Sequence, residues 1–449
     1  MAKYQAYAEY KDSGVEWLGE IPCHWDLIQV GRLFTRTKRT GFPSKELLSV
    51  YRDYGVIPKS SRDDNNNKPS DDLGQYQLVK INDLVMNKMK AWQGSIAISE
   101  FEGIVSPAYF VYQPMLSLFK KAYPKYVHYL LRNPRYIAQY LRRSKGIRVN
   151  QWDLDPDEFQ KIELLIPPKD EQQKIFDFLD HETSKIDHLI EKQQQLIELL
   201  KEKRQAVISH AVTKGLDPNV LMKDSGVEWL GDVPEHWGIL PIKYLTESVN
   251  TGGTPKNPIS FTDVDEVNWF TPGDFLNDLE ITVSSKYVTF DSVNTGDSKL
   301  YPRGSVLMIG IGATLGKIAI CNTEFSCNQQ INVLVPNRSI ISEYLAYALI
   351  IQMDQIKQLS NSSTIGIINQ EKTKQIVIAL PALDEQVKIV EKITQKLLGF
   401  KKIIDLSEEQ VELLKERRTA LISAAVTGKI DVRNWQAPTL AGAQTELSA

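Results

Sequence analysis

Cysteine is scarce in this chain, long apolar runs are missing and net charge is small. The 449 residues hold three cysteines, Cys23, Cys321 and Cys327, with no Cys-x-x-Cys pair. That excludes a disulfide framework and a thiolate zinc site, and it fits a reducing, cytoplasmic location. No apolar run approaches the roughly 18 residues a bilayer span needs, and residues 1–14 lack the apolar centre of a secretion signal, so no membrane contact is expected. A net charge of −3 gives no global basic field, so any polyanion site must come from local clustering. Catalytic signatures are missing too. The six histidines form no HExxH pair, and there is no G-x-S-x-G elbow. Residues 308–317, MIGIGATLGK, break the dinucleotide-loop spacing, and Lys317 is followed by Ile318 where a phosphate loop needs Ser or Thr. Residues 133–136 (NPRY) depart from an Asn-Pro-Pro-aromatic signature, and residues 155–161 gather acids without a Glu-x-Lys spacing. The expectation is a non-catalytic protein that itself binds no cofactor and no metal.

What the chain does contain is a direct repeat. With 42% hydrophobic and 24% charged residues it is long enough for two or three globular domains. Residues 11–25 read KDSGVEWLGEIPCHW and residues 223–237 read KDSGVEWLGDVPEHW, identical at 12 of 15 positions with an offset of 212. Residues 198–213 (ELLKEKRQAVISHAVT) and 412–427 (ELLKERRTALISAAVT) match at 12 of 16 with an offset of 214. One unit of about 213 residues is therefore duplicated. The inserts between these ends, residues 26–165 and 238–378, show no obvious likeness to each other.

Each frame ends in a predicted helix. Apolar runs at 164–166 and 378–380 stop at proline and read as buried strands. Asp170 and Glu171, and Asp384 and Glu385, then place acids where a helix N-terminus favours them. Apolar residues follow at coiled-coil spacing: Leu179, Ile186, Leu189, Ile190, Leu196, Ile197, Leu200 and Val207. Their partners are Ile393, Leu397, Phe400, Ile403, Ile404, Val411, Leu414 and Leu421. Gly215 and Gly428 read as the stops. At about 44 residues each helix would be roughly 66 Å long, so the pair is expected to pack antiparallel. Gln193 and Ser407 fall on that seam, as a locally solvated stretch or as a register-setting polar layer. By symmetry the first KDSGVEWLG copy should sit beside residues 426–429. The expected fold is α+β, two globular domains separated by two long antiparallel helices in a coiled coil, with a pseudo-two-fold internal repeat.

One binding signal stands out. Residues 103–152 contain no Asp or Glu, in a chain with 56 of them, yet carry nine basic residues. These are Lys120, Lys121, Lys125, Arg132, Arg135, Arg142, Arg143, Lys145 and Arg148, interleaved with tyrosines that read as core. Arg142, Arg143, Lys145 and Arg148 are candidate DNA contacts. Arg36, Lys38 and Arg39 join them, as do Lys88, Lys90 and Gln93 of KMKAWQG, since Arg and Gln pair with guanine and adenine edges while Lys meets phosphate. The second insert is acidic, with 11 basic and 18 acidic residues over 216–378. Its candidates are Thr254 and Lys256 in a small-residue turn, Thr314 and Lys317 beside glycine NH groups, and the amides Asn328, Gln329 and Gln330.

The duplicated KDSGVEWLG-x-x-P-x-HW, each divergent insert, and P-x-x-DEQ running into ELLKE-x-R-x-A-x-I-S-x-AVT resemble the specificity subunit of type I restriction-modification systems. TGGTP, WFTPGD, GATLGK, NQQIN, KMKAWQG and SKGIR are similar to pieces of that family's target-recognition domains. The resemblance implies domains at 1–166 and 216–381, conserved helices at 167–215 and 382–430, and a flexible tail at 431–449. It implies that each domain reads half of a bipartite site in double-stranded DNA. The helices would dock two modification (methyltransferase) subunits, joined by two restriction (motor/nuclease) subunits. S-adenosylmethionine, ATP and Mg belong to those partners. The alternative is a coiled-coil scaffold without base readout.

Overall fold

The computed structural model describes residues 4–52, 54–62, 69–70, 72–146, 152–276, 278–359 and 366–437. The chain divides into two compact units, residues 1–193 with 409–449, and residues 194–408. Two long helices, α1 (Lys169–Lys214) and α2 (Leu383–Val426), each contribute one part to either unit. Each follows a proline-stopped strand, Glu163–Ile166 or Val377–Leu380, and carries an acidic pair in its first turn, where the helix dipole favours it. α2 closes in a glycine turn: Lys429 N donates to Ala424 O at 2.8 Å, with Gly428 at φ 73°.

The covered positions step by three and four, through 179, 183, 186, 190, 193, 197, 200 and 204 on α1. On α2 they are 393, 397, 400, 404, 407, 411, 414, 418 and 421. Gln193 and Ser407 lie on these stripes as expected. Leu189, Leu196 and Ile403 do not. They are exposed one step off the seam, and Ile208 rather than Val207 is buried. In unit 1, Asp187 pairs with Arg418 at 2.8 Å, while Ile175, Phe178 and Leu179 share a core with Ala424, Ala425 and Val426. The two segments therefore run antiparallel.

Unit 1 carries a four-stranded antiparallel sheet of β1 (Phe34–Thr37), β2 (Leu84–Asn87), β3 (Ile96–Ile98) and β4 (Tyr109–Pro114), ordered β1-β4-β2-β3. Unit 2 carries β5 (Thr246–Thr251), β6 (Ser305–Ile309), β7 (Ile318–Cys321) and β8 (Ile331–Pro336), ordered β5-β8-β6-β7. The order is the same, so inserts without obvious sequence likeness share one sheet. Both sheet faces are covered: in unit 1, Leu84, Met86 and Tyr112 face the core against the helices, while Val85, Ala97 and Val111 fill a second core.

Each sheet is fastened to its helices by the same side chains. Glu171 accepts from Trp25 Nε1 at 3.0 Å and lies 2.8 Å from His24 Nε2; Glu385 meets Trp237 Nε1 at 3.2 Å and His236 Nε2 at 2.9 Å. The Tyr126 hydroxyl donates to Leu165 O and the Tyr344 hydroxyl to Ala379 O. Gln172 accepts from Tyr123 N, and Gln386 from Ile341 N. The chain start sits at the end of α2, as the repeat predicts. Tyr10 OH donates to Gly428 O at 2.9 Å, and a Cβ at Gly428 would lie 2.5 Å from Pro22. Residues 431–435, expected to begin a loose tail, are anchored instead: Asp431 N donates to Gln5 O at 2.8 Å, and Trp435 packs edge-on to Phe178. Residues 438–449 lie outside the described residues.

Candidate nucleic-acid interface

In unit 1 the turn between β2 and β3 holds Lys88, Lys90 and Gln93. Lys90 and Gln93 are exposed and Lys88 is half-buried. Gly94 closes the turn at φ 95°, where a Cβ would meet Ile137 at 2.7 Å, so glycine is required on both counts. Trp92 is tied back through Nε1 to Met89 O at 3.0 Å and packs edge-on to Trp152, ring centroids 5.0 Å apart. Trp152 precedes Asp153–Leu154, which pairs with Ser144–Lys145, and Leu154 N donates to Lys88 O at 3.3 Å. The fold thus brings together two stretches some fifty residues apart, the 88–94 turn and the segment with Arg142, Arg143 and Lys145. Arg142 and Lys145 are exposed; Lys145 lies 3.7 Å from Asp155, and Arg143 Nη1 donates to Gln139 O at 3.3 Å. Arg148 lies outside the described residues.

Arg36 stands over the Phe110 ring at 4.1 Å; burial pushes the nearby Tyr112 hydroxyl up, and the Arg36 charge pulls it back. Lys38 is exposed just beyond β1. Arg39 is occupied differently. It forms an ion pair with Asp83, whose carboxyl is pushed up by burial and pulled back by the Lys80 NH and by Arg39. The rest of the acid-free stretch divides in the same way: Lys125 pairs with Glu100, Arg132 donates to Arg52 O, and Arg135 donates to Leu18 O at 3.2 Å. Tyr112, Tyr126, Tyr136 and Tyr140 are fully buried core, as expected for the tyrosines of this stretch.

Unit 2 gathers its candidates at the same end of its sheet. Thr251 ends β5, Ile309 ends β6, Ile318 starts β7 and Ile331 starts β8. The β6–β7 turn with Thr314 and Lys317, both half-buried, occupies the place of the 88–94 turn. Ile368 N donates to Gly310 O at 2.9 Å, as Leu154 N does to Lys88 O. Exposed Thr254 donates to Gln329 Oε1 at 2.6 Å, and Asn328 Nδ2 donates to Gln330 Oε1 at 3.1 Å. Gly252 permits this crossing, because a Cβ there would lie 2.2 Å from Asn328 O. The Lys256 side chain is exposed, while its NH is held by Asp297, a carboxyl lowered first by the Ser260 hydroxyl and then by the NH groups of Lys256 and Asn257. Residues without a sequence signal join them. Lys299 Nζ donates to Thr251 O at 3.2 Å and Gln370 Nε2 to Thr251 Oγ1 at 2.9 Å; only the strand topology brings these to the site. Among the described residues no group of three metal-binding side chains occurs, and no helix is long and apolar enough to cross a membrane.

A family model for the Type I restriction modification DNA specificity domain matches the chain twice, at residues 22–199 and 234–413. The putative type I restriction enzyme MjaX specificity subunit of Methanocaldococcus jannaschii is 22% identical over 438 residues, 93% of this chain and 96% of that one. The MjaIX specificity subunit of the same organism is 27% identical over 191 residues, 42% of this chain and 43% of that protein, less than half of either. The StySPI specificity subunit of Salmonella potsdam is 21% identical over 443 residues, covering 93% and 92%. Among solved structures, a chain from work on assembly and conformational transition of the type I R-M system has a TM-score of 0.70 at 17% identity, covering 90% of this chain and 98% of its own. The HsdS subunit from Thermoanaerobacter tengcongensis gives 0.52 at 16% identity, covering 91% and 98%.

Proposed function

This chain belongs to the family of type I restriction-modification DNA specificity subunits, and from that premise we propose that each unit reads one half of a bipartite, gapped site in double-stranded DNA. The long helices dock two modification subunits and set the gap. The observation that carries this reading is that both units present the same end of the same four-stranded sheet, furnished with unlike side chains. Unlike side chains on one scaffold read unlike half-sites. In unit 1 the readers are Arg36, Lys38, Lys88, Lys90, Gln93, Arg142, Arg143 and Lys145. In unit 2 they are Thr254, Lys256, Thr314, Lys317 and the amides Gln329 and Gln330; Asn328, expected to join them, is buried and uses both amide atoms on Gln330, which it holds in place. Methyl transfer to adenine, with S-adenosylmethionine, and ATP-driven restriction with Mg are the work of partner subunits.

The test is single-molecule mapping of methylated adenine in host DNA with and without this gene. Loss of one asymmetric, gapped motif is the expected result. Charge reversal by Arg142→Glu with Lys145→Glu should then relax or abolish one half-site and leave the other intact. Full methylation in that double variant would favour the scaffold reading instead.

A further inference from the structure

The carboxylate that fastens each unit is sealed in one repeat and open in the other. In unit 1, Tyr7 OH donates to Glu171 Oε1 at 2.6 Å, beside the Trp25 indole on the same oxygen. Arg433, paired with Asp431, lies over the Tyr7 ring at 5.1 Å, and Lys174 Nζ donates to the Arg433 carbonyl at 2.6 Å. Only 4% of the Glu171 side chain stays exposed.

Unit 2 repeats the acceptor without the plug. Glu385 uses Oε2 for both His236 and Trp237, and among the described residues no hydrogen bond reaches Oε1; 27% of the side chain is exposed. At the repeat offset of 212, Tyr4, Tyr7 and Tyr10 become Leu216, Asn219 and Met222, so the second copy has no phenol to supply. What remains is a cleft of about 340 Å³ whose walls include Gly215, Val220, Pro234 and Glu385. On its rim stands Lys388, the repeat counterpart of Lys174, 3.8 Å from Asp384.

We propose that this cleft is a docking site for a tyrosine side chain of a partner polypeptide. The phenol donates to Glu385 Oε1, and Lys388 donates to a neighbouring main-chain carbonyl. Unit 1 supplies the template for both contacts, since Tyr7 and the Arg433 carbonyl make them on the equivalent residues. A carboxylate acceptor selects a phenol over a phenyl ring, because only the phenol has a hydrogen to give it. None of the residues lining the cleft is among those assigned to DNA, so the proposal does not depend on which bases are read.

The indole NH of Trp237, bonded to Glu385, reports on the cleft, and that of Trp25 is an internal control. In the full chain, with both signals assigned through Trp237→Phe and Trp25→Phe, p-cresol should shift the Trp237 signal saturably and leave Trp25 unmoved. The binding of 4-methylanisole, which lacks the donor, should be at least roughly tenfold weaker. A capped Gly-Tyr-Gly peptide should bind more tightly than p-cresol, and Lys388→Met should remove that advantage without touching p-cresol. Tyr7→Ala should make Trp25 responsive as well. A silent Trp237, an equal response to the anisole, or a folded Tyr7→Ala chain with a silent Trp25 would overturn the site. A peptide no tighter than p-cresol would overturn a polypeptide occupant, and a p-cresol-sensitive dimer in sedimentation would transfer the cleft to a second copy of this chain.

Discussion

Glu171 and Glu385 hold the same place in their repeats, yet removing them should have unequal effects. Glu171→Ala strands the Trp25 indole and the Tyr7 hydroxyl in a core, with an expected loss of about 3 kcal/mol from unit 1. Glu385→Ala unpairs the buried Trp237 indole too, but it strands no phenol and its other partner, His236, is exposed, so it should cost unit 2 less; hydrogen exchange resolved by unit measures both, and equal losses would contradict the asymmetry. His128 gives a pH dependence. Burial and then the Arg132 charge push its pKa down to about 3, against the pull of the Ile98 carbonyl, so the folded ring stays neutral. An unfolded histidine titrates near 6.5, so the unfolded chain takes up the proton first as pH falls. Stability is complete above about 6.5 and drains toward the folded value, by at most about 1.4 kcal/mol per pH unit and less where the neighbouring cleft wets the ring. Urea unfolding at pH 7.5 and 5.5 should show the drop in the wild type and a smaller one in His128→Gln. At this scale the tyrosine core was legible from residue type. The role of Arg39 was not, because its partner Asp83 lies 44 residues away and no local pattern joins them.

The helices were the most legible elements, because a 3.5-residue period and glycine stops are local signals. Their phase was less so. A two-helix seam covers two positions in seven, and these helices carry apolar residues at a third, which is why Leu189, Leu196 and Ile403 stand in solvent. The repeat counterparts Leu199 and Leu413 are more exposed still, at 61% and 56%. If these faces dock modification subunits, Leu199→Glu with Leu413→Glu should shift the unfolding free energy by under about 0.5 kcal/mol while abolishing co-purification of the modification subunit. Retained co-purification would place docking elsewhere. Gln193 tests the seam itself. Its Oε1 is buried with no hydrogen-bond partner among the described residues, so Gln193→Leu should stabilise by about 1 kcal/mol. A register-setting amide would instead give a less cooperative transition on substitution. The shared sheet was hidden for the opposite reason. Its strands are three to six residues long, and pairs such as Val111 with Val85 and Leu307 with Val333 are fixed by hydrogen-bond register rather than by any motif.

For the whole molecule the duplication gave the architecture directly, and the charge imbalance between the inserts bears on how DNA is held. With 11 basic against 18 acidic residues over 216–378, the second unit supplies little phosphate affinity of its own. The isolated chain should therefore bind DNA weakly and with steep salt dependence, and nanomolar sequence-specific binding without partners would refute that. On the proposed reading the helices set the gap between half-sites, and that can be tested. α1 has 46 residues and α2 has 44, and each belongs partly to both units, so their lengths must stay matched. Four residues inserted into one helix add about 6 Å to that helix alone and slip the seam, so methylation at any gapped site should be lost. The same insertion in both helices restores the match. Methylated-adenine mapping should then recover both half-sites unchanged around a gap longer by about two base pairs, at 3.4 Å each. Recovery of the original gap from the doubly lengthened chain would show that something other than the helices sets the distance.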